Sequence, residues 1–159
     1  MQLIDDKPVY SATDLVGFLE CEHLTDLELG ALVGHIDKPM RNDPELDRIR
    51  KRGEQHEERY LGTLEADGRQ VTQLKLPQDE WSGGRRERYD AAAQLTREAI
   101  WRGDDVIYQA CFFDGTWLGF ADFLLRVPVE PGQRPPLGHL YEVADTKLAR
   151  KAKAGALLQ

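Results

Sequence analysis

Two apolar segments of β type, each carrying an aspartate, constrain this chain more than any other feature. Asp122 lies within the run of residues 119–125, and a second run, residues 141–147, ends in an Asp-x-Lys pattern at Asp145 and Lys147. Alternate residues of an extended chain share a face, so Asp145 and Lys147 are expected to point the same way. A charged side chain in an apolar run is costly to bury unless it is paired or bound to a metal. We therefore interpret Asp122 as a functional residue rather than as a surface carboxylate.

Carboxylates and a lysine in this arrangement have a specific chemistry. Two carboxylates at a fixed distance bind Mg²⁺ or Mn²⁺, and the ion can polarise a phosphate and lower the pKa of an attacking water. A neighbouring lysine, here Lys147, can orient that water or stabilise charge on the phosphoryl group. The alternative is an ion pair of Asp145 and Lys147 at a solvated strand end, and an Asp-x-Lys pattern by itself favours this alternative.

A long helix is predicted between two clear boundary signals. Asp43 as the N-cap and Pro44 in the first turn begin it, and Gly68 ends it. Its apolar stripe follows helical spacing at Leu46, Ile49, Gly53, His56, Tyr60 and Leu64. A histidine in such a stripe is either packed in the core or a metal ligand, whose imidazole favours Mn²⁺ over an all-oxygen site. Glu57 is the alternative ligand on the same helix.

The combined pattern resembles the RecB-like branch of the PD-(D/E)XK nucleases, which includes the CRISPR-associated RecB-like exonucleases and the nuclease domains of bacterial helicase-nucleases. That branch carries a histidine on an early helix, a Gly-x-x-Asp on a hairpin strand, a D/E-x-K on the next strand and a glutamine on the following helix. The residues that match are His56, Asp122, Asp145 with Lys147, and Gln159.

One subgroup of RecB-like nucleases, whose members are often fused to a helicase or an RNase-H-like domain, is similar over almost the whole chain. Its patterns resemble residues 11–15, 21–25, 105–110 and 145–150. Two features of the family are missing from the sequence. No tyrosine follows Gln159 to complete the Gln-x-x-x-Tyr pattern, and the downstream cysteine cluster is absent. The resemblance is therefore to the front portion of a longer protein.

This resemblance implies a divalent-metal-dependent DNA nuclease that acts in repair, recombination or end processing. The implied ligands of Mg²⁺ or Mn²⁺ are His56, Asp122, Asp145 and the main-chain carbonyl of Thr146. Lys147 would assist the attacking water, and Gln159 would position Lys147 or the DNA backbone. The partner would be DNA, single-stranded or at its ends, and a longer form of the protein would add a helicase or RNase-H-like domain.

The chain contains two cysteines, Cys21 and Cys111. Without an export signal, a disulfide framework is not expected. Cys111 lies in an apolar strand run and is predicted to pack in the sheet. In the family, a cysteine at the place of Cys21 joins three later cysteines around a 4Fe–4S iron–sulfur cluster. Those cysteines would have to follow Gln159, so we expect the cluster only in a longer form and a free, helix-packing thiol here.

The chain has 159 residues and a formal net charge of −7 at pH 7. This length predicts a single domain. The acidic balance argues against a protein that coats nucleic acid, but it does not exclude a nuclease, because a bound cation reverses the field of an acidic site. Basic clusters at residues 85–88 and 147–153 either contact phosphates or form solvated helix faces. No apolar run approaches the ~18 residues of a membrane span, and residues 1–6 lack signal-peptide features, so a cytoplasmic protein without membrane contact is expected.

The order of segments predicts a mixed α/β domain with a restriction-endonuclease-like core, in which a central mixed sheet is flanked by helices. Helices are expected after a Ser11 cap, over residues 22–33 and 86–102, and from Leu148 onward. Strands are expected at residues 70–76, 105–113, 116–127 and 140–147, with a two-residue turn at Asp114 and Gly115 and a loop over residues 128–138. We assign residues 1–68 to N-terminal helices and residues 69–159 to a catalytic sheet and helix that is incomplete at its C-terminus.

Two other interpretations remain open beside the nuclease. The first is a catalytically incomplete module of nuclease fold that binds nucleic acid or docks a partner, which the missing tyrosine and cysteines favour. The second is a truncated gene product of marginal stability. The set of His56, Asp122, Asp145 and Lys147 favours the enzyme.

Overall fold

A computed structural model describes residues 1–39, 43–74 and 83–146 of the chain. Their elements, in chain order, are strands β1 (Gln2–Ile4) and β2 (Lys7–Val9), helices α1 (Ala12–Glu20), α2 (Glu22–Leu32) and α3 (Pro44–Ala66), strand β3 (Val71–Gln73), helix α4 (Arg85–Arg102), and strands β4 (Val106–Phe113), β5 (Leu118–Val127) and β6 (Leu140–Ala144). Lys147, the helix predicted after Leu148 and Gln159 lie outside the described residues.

The main sheet has four strands in the order β3, β4, β5, β6. β3 is parallel to β4, whereas β4, β5 and β6 are successively antiparallel. The prediction of a mixed α/β domain with a central mixed sheet flanked by helices is confirmed. β3 and β6 are shorter than predicted, since β3 ends at Gln73 and β6 at Ala144. None of the helices in the described ranges combines the length and apolarity needed to cross a membrane.

One face of this sheet packs against the last turns of α3. Leu64 of the helix joins Val106, Tyr108 and Phe123 of the strands in one buried cluster. The ring of Phe123 stands edge-on to that of Tyr60, with ring centres 5.0 Å apart, and stacks with that of Tyr108 at the same separation. Aromatic pairs of this geometry add stabilisation beyond the area that they bury. The packing fixes the end of α3 over the middle of β4 and β5.

Helix α4 covers the opposite face, because Ile107 and Leu124, the neighbours of Tyr108 and Phe123 along each strand, cluster with Ala99 of α4. Small side chains along α4 let the helix lie close to the sheet. The helix ends at Gly103, whose left-handed φ of 73° closes the C-cap as the sequence predicts. Buried Thr96 donates to the Ala92 carbonyl (3.1 Å) and accepts the backbone N–H of Cys111 (2.9 Å). Thr96 thereby ties the helix to β4.

Strands β1 and β2 form an N-terminal hairpin that the sequence analysis missed. Its two-residue turn holds Asp5 and Asp6 at φ values of 51° and 58°. Paired positive φ values are those of a type I′ turn, which aspartate tolerates better than most residues. Ile4 and Val9 at its ends are buried in the cluster that also contains Phe113. The signal in the sequence was an Asp-Asp pair between two short apolar stretches.

The helix boundaries follow the predicted caps. Asp14 accepts hydrogen bonds from the backbone N–H and the hydroxyl of Ser11, each at 2.7 Å, at the start of α1. Asp43 accepts the backbone N–H of Glu45 at 3.0 Å at the start of α3. These contacts satisfy backbone or side-chain donors that would otherwise be unpaired at the first turn.

The predicted apolar stripe of α3 is wrong in its first half. Leu46 and Ile49 are 54% and 50% exposed, whereas Leu64 is buried. The apolar contacts of α3 with the sheet come from Tyr60, Leu61 and Leu64, in its last turns. Helical periodicity therefore identified an apolar face, but it could not show how far along the helix the sheet reaches.

The predicted two-residue turn between β4 and β5 is also wrong. Phe113 pairs with Leu118, which leaves residues 114–117 as a four-residue loop. The Asp114 carboxylate accepts the backbone N–H groups of Thr116 (2.8 Å) and Trp117 (2.7 Å). An aspartate used in this way makes an Asx turn, so positive φ occurs only at Gly115.

Replacing Thr96 by valine should destabilise the fold by about 1–3 kcal/mol, because the buried N–H of Cys111 would lose its acceptor while the side-chain shape is kept. Thr63→Val is the matched control, since Thr63 also donates to the carbonyl four residues earlier (3.0 Å) but is exposed. Denaturant unfolding of both variants measures the difference. Equal, small losses of stability in the two variants would contradict this account of the helix–sheet contact.

Candidate metal centre

Asp122 is a half-buried carboxylate in the middle of β5. Its neighbours along the strand, Ala121 and Phe123, are buried on the two sides of the sheet. Its Oδ2 accepts the backbone N–H of Thr146 at 3.3 Å. Because Thr146 follows β6, this hydrogen bond joins the end of β6 to the centre of β5.

Asp145 lies next to Asp122, and the two carboxyl groups are close enough to hydrogen-bond when one of them is protonated. Partial burial, this hydrogen bond and the negative charges of Asp145 and Glu57 raise the pKa of Asp122 to about 7, and the Thr146 N–H opposes the rise. The carboxyl pair therefore holds a proton at pH values where an ordinary aspartate is ionised. Asp122 lies in β5 and the exposed Asp145 directly follows β6, so the two acids that the resemblance implies as ligands are neighbours.

A third carboxylate, Glu57 of α3, is near this pair. Glu57 accepts a hydrogen bond from the side-chain amide of Gln109 in β4. Burial and then the hydrogen bond and charge of Glu57 raise the pKa of the Tyr108 hydroxyl to about 12. Glu57 thus lies at the sheet, where its charge acts on both Tyr108 and Asp122.

Gln109 has an unusual backbone for a residue inside a strand. Its φ is 60°, a left-handed conformation that costs a residue other than glycine about 1–3 kcal/mol. The pairing of β4 with β5 is regular at Tyr108 with Phe123 and at Ala110 with Ala121, but it is interrupted between them, where Gln109 faces Asp122. The strained residue is therefore directly opposite the half-buried acid. No pattern in the sequence indicates this strain.

His56 is half-buried on the helical position next to Glu57. Within the described ranges, no hydrogen bond or ion pair involves His56, and its role as a metal ligand stays a prediction. Glu57, the alternative in the sequence analysis, is the residue whose contacts connect α3 to the acid pair. Glu57 is three, four and seven residues before Tyr60, Leu61 and Leu64, so helical spacing places it on the same face of α3. That spacing could have identified Glu57 from the sequence as a residue that faces the sheet.

The Asp122 and Asp145 carboxyl groups offer the oxygen ligands that a divalent cation needs. Adjacent carboxylates are the ligands that Mg²⁺ and Mn²⁺ prefer, and a cation would relieve the repulsion between them. The Asp122 and Asp145 pair therefore fits such an ion. Among residues 1–39, 43–74 and 83–146, however, no three His, Cys, Asp or Glu side chains are grouped so as to hold one ion. The backbone N–H of Thr146 contacts Asp122, and its predicted role as a carbonyl ligand is untested, as are those of Lys147 and Gln159.

The two cysteines differ in environment. Cys111 is buried in β4, as predicted, and burial raises the pKa of its thiol to about 11. Cys21 is a free, exposed thiol at the junction of α1 and α2. The expectation that Cys21 packs against a helix is wrong, because the junction is at the surface. Its iron–sulfur role in a longer form stays a prediction.

The proton held by Asp122 should make stability depend on pH in a defined direction. With EDTA present, the folded state binds a proton that the unfolded state releases near the ordinary pKa of 3.8. The stability that this bound proton adds to the folded state is fully present below pH 3.8 and is lost as the pH rises through about 7. Asp122→Asn cannot titrate, so its free energy of unfolding relative to the parent should increase from about pH 4 to about pH 7 and then level off. Denaturant unfolding across this range measures it.

The exposed residue Asp67, at the C-terminal cap of α3, provides the control for this experiment. Asp67→Asn removes the same charge away from the acid pair, so its stability relative to the parent should not show this rise. A constant difference between Asp122→Asn and the parent at all pH values would contradict the shared proton.

Comparison of the chain with protein-family models, with curated proteins and with solved structures finds no significant match. The resemblance to RecB-like nucleases accordingly rests on the residue pattern alone.

Proposed function

We propose that the chain is a divalent-metal-dependent nuclease with a restriction-endonuclease-like core that hydrolyses phosphodiester bonds in DNA. The observation that carries the proposal is the pairing of Asp122 and Asp145. These carboxyl groups come from a strand interior and from the end of the neighbouring strand, and they are close enough to share a hydrogen bond. A structural ion pair would join opposite charges, whereas Asp122 and Asp145 carry like charges, whose repulsion a shared proton or a bound cation relieves.

Asp122 and Asp145 would hold Mg²⁺ or Mn²⁺, with the Thr146 carbonyl and a side chain of α3, His56 or Glu57, as further ligands. When bound, the cation supplies Lewis acidity toward the phosphate and a lowered pKa for the attacking water. Lys147 would orient the water or stabilise charge on the phosphoryl group. Gln159 would position Lys147 or the DNA backbone.

The shared proton sets the order of events at the carboxyl pair. Carboxylate ligands must be ionised to bind a metal. Asp122 must therefore release its proton to solvent before the pair can bind the cation, and cation binding should strengthen as the pH rises toward and beyond 7.

The basic residues at 85–88 and those on α3 differ in how available they are to contact the phosphates of DNA. In the 85–88 cluster, Arg85 donates to the Leu3 carbonyl at 3.3 Å and the Arg86 guanidinium lies over the Phe113 ring at 5.7 Å. These arginines therefore pack against the protein rather than forming a free phosphate site. A run of exposed cations on α3, at Arg48, Arg50, Lys51 and Arg52, is the stronger candidate for phosphate contact in the part of the chain that the structure describes. The helix that carries them also carries Glu57.

A second function is favoured by one observation, the lack of a three-ligand group among the described residues. It is a catalytically incomplete module that binds nucleic acid through its basic residues. Such a module would bind DNA to the same extent with and without a divalent cation. The two functions are therefore separable by the metal dependence of binding and cleavage.

Incubation with labelled single-stranded and duplex DNA should give cleavage with Mn²⁺ or Mg²⁺ and none with EDTA. Asp122→Asn should lower the cleavage rate by more than about 100-fold, because it removes a proposed metal ligand and not merely a residue that orients a ligand. Lys147→Ala should cause a comparable loss. Gel analysis of product against time gives the rates.

Asp67→Asn, at the exposed C-terminal cap of α3, is the charge-matched control and should retain the parent's rate. Circular dichroism confirms that each variant is folded. A folded parent that cuts neither substrate with either metal, yet binds DNA equally in Mn²⁺ and EDTA, would exclude the nuclease and establish the binding module.

A further inference from the structure

The first half of α3 carries a strongly basic segment that is exposed to solvent. Residues 48–52 contain four cations and no acid, in a chain whose formal net charge is −7. All of these side chains are exposed, as is that of Leu46 on the preceding turn. The apolar contacts of α3 with the sheet begin only at Tyr60. This half of the helix is therefore accessible to a binding partner.

Three of the four cations share one face of the helix. Arg48 precedes Lys51 and Arg52 by three and four residues, which is the spacing of neighbours on a helix surface, about 5–6 Å apart. Among the residues that the structure describes, no side chain forms an ion pair or a hydrogen bond with any of the three. The basic face of α3, formed by Arg48, Lys51 and Arg52, therefore has its charges available to an anionic partner.

The fourth cation, Arg50, points to another side of α3. Its guanidinium lies 3.6 Å from the Asp47 carboxylate and 3.8 Å from that of Glu54, both on the same helix. Two residues shift a helical position by about 200°, so neither Arg48 nor Arg52 shares the side that Arg50 occupies. Arg50 is therefore partly neutralised, and it provides an internal comparison for the basic face.

The basic face lies on the side of α3 opposite to the sheet. Glu57, which contacts Gln109 of β4, follows Arg48 by about two and a half helical turns. The half turn puts Arg48 and Glu57 on opposite sides of the helix. An α-helix is about 10–12 Å across with its side chains. The basic face is therefore a surface separate from the Asp122 and Asp145 pair.

A phosphate backbone is the partner that fits this surface best. Lys and Arg side chains bind nucleic acid by neutralising phosphates and releasing their counterions. The acidic remainder of the protein repels DNA, which confines the contact to a local basic cluster. An anionic membrane is the alternative polyanion, but a helix that lies on a membrane buries a broad apolar face. In the first half of α3, the exposed large apolar side chains are those of Leu46 and Ile49 alone, so the observations favour nucleic acid.

We propose that Arg48, Lys51 and Arg52 form a surface that binds the phosphate backbone of DNA without a metal ion, on the side of α3 away from the acid pair. This inference rests on the proposed function for its partner, DNA, but not for cleavage. The surface adds a second point of attachment to the acid pair. A DNA long enough to reach both surfaces is therefore held more tightly than one that reaches either alone.

The test is the affinity for labelled duplex DNA, measured by fluorescence anisotropy in EDTA at a series of salt concentrations. Arg48→Gln, Lys51→Gln and Arg52→Gln replace each cation by a residue of similar helix propensity. Each should lower the slope of log affinity against log salt concentration by about 0.9, and the triple variant by about 2.7. Arg50→Gln should lower the slope by less than each of the three, because Arg50 is already paired with acids.

Arg97→Gln is the charge-matched control. Arg97 is exposed on α4, where its guanidinium donates to the Gln94 side chain at 2.8 Å, and its loss should leave the affinity and the slope of the parent. A parent that does not bind duplex DNA in EDTA, or a triple variant with the parent's slope, would overturn the inference. An equal loss of slope in Arg50→Gln and Arg52→Gln would overturn the assignment to one face.

The membrane alternative is tested with vesicles of phosphatidylcholine and phosphatidylserine in equal amounts. The parent should bind these vesicles more weakly than it binds duplex DNA at the same salt concentration. Tighter binding to the vesicles than to DNA, lost in the triple variant, would overturn the inference and assign the surface to an anionic membrane.

Cleavage assays with Mn²⁺ or Mg²⁺ distinguish failure of this inference from failure of the proposed function. Metal-dependent cleavage by the parent, together with parent-like DNA binding by the triple variant, would overturn only the inference. Binding of DNA in EDTA that depends on the basic face, in a parent that cuts nothing with either metal, would overturn the nuclease and support this inference.

Discussion

The pair of strands β4 and β5 must bury apolar side chains on both of its faces, and the other described elements are placed by that requirement. Phe123 and Tyr108 face the end of α3, while Ile107 and Leu124 face α4. The N-terminal hairpin covers the remaining end of the pair through Ile4 and Val9. Two helices and a hairpin thus leave the centre of β5 largely out of water, which is where a carboxylate is hardest to accommodate.

The surroundings of Asp122 have three features that a sheet does not need for its own stability. Asp122 lies within hydrogen-bonding distance of the Asp145 carboxyl group, and it accepts the backbone N–H of Thr146. It is also opposite Gln109, whose backbone is left-handed. The result is a site that keeps a proton near neutral pH. Sites with strongly perturbed titration are common where chemistry occurs, and a divalent cation is the ligand that would replace this proton most directly.

The parts of the fold that could be predicted are those set by local rules. Neighbours in sequence determine the Ser11 and Asp43 caps and the end of α4 at Gly103. They also indicate the succession of strand segments after Gly103. The interpretation of Asp122 as more than a surface carboxylate was also possible from the sequence, because burying an unpaired charge costs free energy in any fold. The Asp5 and Asp6 turn had a local signal too, but a weak one.

Other features depend on contacts between distant segments, which local rules do not determine. The exposure of Leu46 and Ile49 depends on where the sheet ends under α3. The choice of Glu57 over His56 as the side chain that contacts β4 depends on the rotation of α3, and one residue shifts it by about 100°. The left-handed backbone of Gln109 occurs where this residue contacts Glu57 and faces Asp122, both of which are distant in sequence.

We propose that the Asp122 and Asp145 pair exchanges its proton for a divalent cation. The most direct test is a crystal structure determined at pH 8 with Mn²⁺, using the anomalous signal of the metal to locate it. The account predicts an anomalous peak between the two carboxylates, with Asp122 and Asp145 no longer hydrogen-bonded to each other. A map without a peak at this site, in which the two carboxyl groups still share their hydrogen bond, would contradict it.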